Sequence, residues 1–150
     1  MTEPAAVPAR SREHLLILAG ALLAVLGLAT LGMLLKPDPR GFGTHEQLGF
    51  QPCLPVRLWN VPCPGCGVTT AVALAFHGRL LASLRAQPFG LVTIACVFGF
   101  ALFALRTHRR GRDLFQELGT LPWRKLAPTL TALLVVSWVY KLLVMRGWFA

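Results

Sequence analysis

Acidic residues are scarce in this chain: six Asp and Glu stand against 15 Lys and Arg in 150 residues. No pair of carboxylates is placed to divide the roles of general acid and general base. Charged residues of both signs make up 14% of the chain, where soluble domains average about 25%. The deficit is concentrated in three apolar runs, which marks membrane spans rather than a generally apolar surface. No G-x-S-x-G, Walker loop or H-E-x-x-H is present, so the signatures of serine hydrolases, nucleotide hydrolases and zinc proteases are missing. No internal repeat occurs, and the only biased tail is the short "MTEPAAVPARS". Polar residues inside the apolar runs are few (Thr30, Thr93, Ser137), which speaks against a transport pathway.

The net charge of +9 raises nucleic acid as a partner, and position argues against it. The basic residues avoid the apolar runs and cluster at their ends, where lipid headgroups and topology signals account for them. Neither an aromatic-plus-basic RNA motif nor zinc-finger spacing occurs, so no nucleic acid is expected. The expected fold class is an all-α membrane protein, residues 1–150 forming one integral domain with the lipid bilayer as its first partner.

The first run, Leu15–Leu35, holds 21 uncharged residues, and a helix needs ~20 to cross a bilayer core. Arg10, Arg12 and His14 precede it and Lys36 closes it. It exceeds the ~7–15 residues of a signal-peptide core, so it is expected to stay as an anchor. The second run is Pro88–Leu105, with Pro88 suited to a first helical turn. The third is Leu126–Met145, with Pro128 in its first turn and Trp138 and Tyr140 towards its far end. Lys141 is expected to snorkel to the interface there, with Arg146 and Trp148 beyond it. Gly20 with Ala24, and Ala95 with Gly99, are small enough to let helices pack closely.

Between the second and third spans lie Arg106, Arg109, Arg110, Arg112, Arg124 and Lys125. With three spans, the positive-inside rule puts residues 1–14 and the basic segment 106–125 in the cytoplasm, where that segment meets anionic lipid headgroups. "RDLFQELG" within it has the length for one or two amphipathic turns. The loop 36–87 and the C-terminus then lie on the opposite, outer side of the membrane. A fourth span is not expected: "VTTAVALAF" is nine residues long before His77, Gly78 and Arg79 interrupt it. The stretch 67–86 is expected as one interfacial helix, or a shallow re-entrant hairpin, packed on the spans.

The outer loop opens "KPDPRGFGTHEQLGFQPCLP", whose prolines, glycines and polar residues predict irregular structure. It then reaches "PCPGCG". Cys63 suits a helix N-cap with Pro64 at the first helical position, and a thiolate there gains from the helix dipole. Gly65 and Gly67 oppose an immediate helix and delay its start to about Val68. Cys63 and Cys66, three apart, are the candidate redox pair. A zinc knuckle is the other chemistry of this motif, with Cys63, Cys66, Cys53 and His45 as candidate ligands; His77, about 16 Å along a straight helix, is too far. Cys53 also has the option of a structural disulfide with Cys63 or Cys66. Cys96, mid-span, is expected buried and without chemistry. Thr69 and Thr70 are expected to bond back to the preceding turn.

"CPGCGVTTAVALAFHGRLLASLRAQPFG", Cys63 to Gly90, resembles the bacterial membrane proteins grouped as domain of unknown function 2752. Their signature is C-P-x-C-G-x-T-R, then an apolar stretch, a glycine with a polar neighbour, and Asn-Pro before a span. Cys63, Pro64, Cys66, Gly67, Thr69, Gly78 and Pro88 match it. Thr70 stands where the family has arginine, a role Arg79 or Arg57 could take over, and Gln87 stands where it has asparagine. The resemblance implies a membrane protein and no named activity. The expected function is a small, non-enzymatic multi-pass component, alone, self-associated or with a membrane partner. Its CPGCG turn fixes the outer loop by a disulfide or by packing. Thiol–disulfide exchange through Cys63 and Cys66, and a zinc knuckle, are the alternatives.

Overall fold

The three apolar runs form the three long helices of the computed structural model, which describes residues 12–147. They are α1 (Arg12–Leu34), α5 (Phe89–Arg109) and α7 (Trp123–Met145). Each is long and apolar enough to cross a membrane. Among the described residues every other element is a short helix or turn, so the architecture is all-α. The tail before residue 12, with Arg10, and the expected anchor Trp148 lie outside the described residues.

Helix bounds follow the prolines. Pro88 is the N-cap of α5 and Pro122 that of α7. The latter starts α7 at Trp123, three residues before the expected Leu126, so Pro128 falls inside the helix rather than in its first turn. Having no N–H, Pro128 leaves the carbonyl four residues earlier without its helical bond.

α1 and α5 pack through small residues, with Ala21, Ala101 and Ala104 buried against one another and against Leu114. They are not the pairs expected from spacing: Gly20, Ala24, Ala95 and Gly99 are all exposed. Close approach happens instead at Gly32, where a Cβ would overlap the Phe76 ring, and at Gly90, where it would overlap Ala71. Cys96 is also exposed, on the outside of α5, rather than buried.

The segment between α1 and α5 is more ordered than its composition suggested. It contains a 3-10 turn at Thr44–Leu48, α2 (Leu54–Trp59), α3 (Val68–Phe76) and α4 (Leu80–Ala86). α3 is "VTTAVALAF", ended by His77 and by Gly78 at φ +74°. Thr70, Ala71, Val72, Ala73 and Leu74 are all buried. The helix therefore packs into the bundle against α1 and α5, as the re-entrant alternative requires, instead of lying on its surface. α4 folds back beside it, with the Ser83 hydroxyl donating to the Ala71 carbonyl at 2.7 Å. Leu80, Leu81 and Leu84 of α4 stay exposed.

At the opposite end α6 (Leu114–Gly119) is capped by Asp113, which accepts from the N–H groups of Phe115 and Gln116 at 2.9 and 3.2 Å. The Leu114 N–H donates to Nδ1 of the buried His14 at 3.2 Å. Nε2 of His14 then carries the proton it shares with Nδ1 of His108 at 2.9 Å.

Candidate functional site

The CPGCG turn is built by its glycines. The Cys66 N–H donates to the Cys63 carbonyl at 2.9 Å and the Val68 N–H to the Gly65 carbonyl at 3.1 Å. Gly67, at φ +92°, is the N-cap of α3. Cys63 and Pro64 are thus not the N-cap and first helical position: they precede the helix by a full turn. Gly67 has to be glycine twice over. Its φ lies in the left-handed region, and a Cβ there would sit 2.7 Å from the Gly41 carbonyl oxygen.

Around this turn the fold gathers side chains from distant parts of the chain. Lys141 of α7 is 2% exposed. It does not snorkel outward. Its Nζ turns inward and donates to the Gly41 carbonyl at 2.9 Å and the Ala86 carbonyl at 3.0 Å, and it lies over the Phe42 ring at 5.7 Å. Trp138 and Tyr140, expected as interfacial anchors, also donate to loop backbone. The indole reaches the Pro62 carbonyl at 2.8 Å and the phenol the Arg85 carbonyl at 3.1 Å. Ser137 accepts the Phe89 N–H at 2.9 Å. Gln87 is fully buried and donates to the Pro64 carbonyl at 3.2 Å. Thr70 does not bond back along its own helix; its hydroxyl meets that of Thr44 at 2.8 Å. The neighbouring Asp38 carboxyl is held below its ordinary range by Arg40.

A cavity of about 270 Å³ beside the turn is lined by Cys53, Cys63, Cys66 and His45, with Gly67 and Thr70 among its other walls. It brings together all four residues that the sequence offered as zinc ligands. Among the described residues, however, no group of three or more His, Cys, Asp or Glu is arranged to hold a metal ion. Nor are any two cysteines joined. The Cys63 thiol interacts with both Cys53 and Cys66, so three sulfurs, and not only the C-x-x-C pair, lie near one another.

Neither thiol is activated as a helix N-terminus would activate it. Burial pushes the Cys66 thiol up to about 12, with Cys63 and Cys53 adding to the rise and Lys141 opposing it. Burial, then the bond with Cys53, also raises Cys63. For Cys63 the α3 N-terminus lies a turn later, at Gly67; for Cys66, directly before Gly67, burial is the larger effect. Arg57 and Arg79 do not line this cavity; the cation beside the turn is Lys141. The remaining motif positions, Pro64, Gly65, Gly78 and Thr69, serve turns or line the cavity.

Lys141 is the main residue that the sequence argument misplaced. A lysine within an apolar run is expensive in a membrane unless it faces the protein interior, and that was the available signal. Its partners are backbone carbonyls, which no motif reports.

Comparison with family models matches residues 53–101 to the family described as "Protein of unknown function (DUF2752)". This is the family that the CPGCG stretch resembles. The match covers the turn, α3, α4 and the first half of α5, about a third of the chain, and leaves Gly41 and Lys141 outside it. No curated protein and no solved structure matches the chain.

Proposed function

We propose that this multi-pass protein is a non-enzymatic membrane component in which the CPGCG turn fixes the loop 36–87 onto the end of the helix bundle. The observation that carries the proposal is Lys141. From α7 it ties together Gly41, before the motif, and Ala86, at the end of α4, with Gly67 of the motif packed between them. Trp138 adds the Pro62 carbonyl just ahead of Cys63. Every residue of the turn is thereby used in folding, and the raised thiols fit a packed role better than a nucleophilic one. The basic segment 106–125 supports an orientation with this end outside a bacterial cytoplasmic membrane.

Replacing Lys141 with methionine tests the proposal. The level of protein in the membrane falls severalfold and Lys141→Arg restores part of it; an unchanged level with methionine refutes the role.

One observation favours a second function. Cys53, Cys63 and Cys66, from two loop segments, line one cavity, which supports an exchange role. Exchange with an external disulfide would form the Cys53–Cys63 bond, reduce the donor to two thiols, and leave Cys66 to attack the new bond. The functions separate by trapping. A structural bridge predicts that Cys53→Ser and Cys63→Ser lower the protein level alike, with no mixed disulfide to another protein. An exchange protein predicts such a species in the Cys53→Ser/Cys66→Ser double variant, where no neighbouring thiol remains to release the partner from Cys63.

A further inference from the structure

A second cavity lies on the other side of Lys141 from the cysteines, and the proposed role of the turn makes no use of its arginines. It measures about 430 Å³ and runs between residues 37–41, α4 and the end of α7. Its charged walls are Asp38, Arg40, Arg79, Arg85 and Lys141. Asp38 and Glu46 are the only acids between residues 36 and 87, and both are taken by Arg40, at 2.7 and 3.0 Å. Among the described residues no ion pair engages Arg79 or Arg85. Two guanidinium groups therefore stand at one cleft with no carboxylate left for them. At the end of the bundle opposite the basic 106–125 segment, that surplus serves no topology signal.

The surroundings indicate the kind of anion. Arg79 and Arg85 also border a second cleft of about 410 Å³ on the other side, whose apolar walls include Leu80, Leu81 and Ala82. Leu80, Leu81 and Leu84 are 57%, 73% and 43% exposed. The arginines thus stand between a polar cleft and a leucine ridge, the arrangement of a helix lying at headgroup depth. Guanidinium groups pair well with phosphate oxygens, two donors at a time. A choline or ethanolamine ammonium would find no free partner here, because the cleft's carboxylate is already held by Arg40.

We propose that Arg79 and Arg85 hold the phosphate of an anionic phospholipid, with its headgroup in the 430 Å³ cleft and its acyl chains along Leu80, Leu81 and Leu84. Lys141, Gly41 and Ala86, which carry the proposed role of the turn, form part of the cleft wall, whereas Arg79 and Arg85 have no part in that role, so the variants at these two arginines test the lipid site separately.

The test uses the full chain, purified in detergent and stripped of lipid, with phosphatidylglycerol or phosphatidylcholine added and bound lipid read by native mass spectrometry. The wild type retains one phosphatidylglycerol about tenfold more strongly than phosphatidylcholine. The double variant Arg79→Gln/Arg85→Gln loses that preference. Arg57→Gln/Arg146→Gln, which removes the same charge outside the cleft, keeps it. Millimolar inorganic phosphate leaves the lipid bound. Equal retention of the two lipids by the wild type overturns the proposal without recourse to any variant. Phosphatidylglycerol held unchanged by Arg79→Gln/Arg85→Gln also overturns it. Displacement by inorganic phosphate overturns the lipid assignment in favour of a small-anion site.

Discussion

α5 and α7 are both apolar helices of membrane-crossing length, yet they are joined to the molecule by different chemistry. α5 is fitted by shape: Gly90 meets Ala71, and Ala101 and Ala104 meet Ala21. α7 is stitched by hydrogen bonds. Leu126, Leu133, Val135, Val136 and Val139 are exposed, and Ser137 and Lys141 are its buried residues. Between them Trp138, Tyr140 and Lys141 make four bonds to the backbone of the segment 36–87, and Ser137 makes one to the first residue of α5. In lipid, apolar side chains gain little from meeting each other, so helices join either by close packing of small residues or by polar bonds. This protein uses one means for each helix, and the polar one converges on the CPGCG turn.

The two attachments should fail differently. The largest effect is expected from Lys141→Met, which orphans two carbonyls at once and costs on the order of 3 kcal/mol. Thermal unfolding in detergent would show it as a fall in midpoint, with Lys141→Arg intermediate. Next comes Gly90→Ala, whose new methyl overlaps Ala71 and costs about 1–3 kcal/mol by overpacking. Gly20→Ala, with nothing within 4 Å, should change stability by less than about 0.5 kcal/mol in the same assay. Trp138→Phe keeps the ring but loses the bond to Pro62, about 1 kcal/mol.

A separate effect is one of pH. The folded Cys66 thiol is raised from an ordinary 9.0 to about 12, so the fold favours the protonated form. Its contribution is fully present below about pH 9 and is lost as pH rises from there towards 12. Cys66→Ala should therefore flatten the decline of the unfolding midpoint across that alkaline range and leave its course below pH 8 unchanged.

Much of the fold was legible because the strongest signals in a membrane chain are length and apolarity. The three runs gave three helices, the stretch 67–86 gave a helical hairpin of α3 and α4 broken at His77 and Gly78, and "RDLFQELG" gave α6 with Asp113 as its cap. Gly65 and Gly67 correctly delayed the helix after the cysteines. What was not legible depended on facing. Lys141, Trp138 and Tyr140 near the end of a span have the composition of an interfacial belt, and only the tertiary fold turns them inward to carbonyls. Gly20 and Ala24 have the spacing of a packing face, yet α1 approaches its neighbours through Ala21 and Gly32. Within the site, the C-x-x-C spacing directed attention to Cys63 and Cys66, and the folded chain adds Cys53 beside them. Contacts between residues ten and more positions apart leave no local pattern to read.

The measurement that tests the stitched attachment most directly is the alkylation rate of Cys66 in membranes, at one pH, in the wild type and in Lys141→Met. Removing Lys141 takes away the one neighbouring charge that lowers the Cys66 pKa, so electrostatics alone would slow the reaction. The account predicts the opposite: labelling at least severalfold faster in the variant, because the loop no longer closes over the thiol. A rate that is unchanged or slower would show that Lys141 does not hold the CPGCG turn shut.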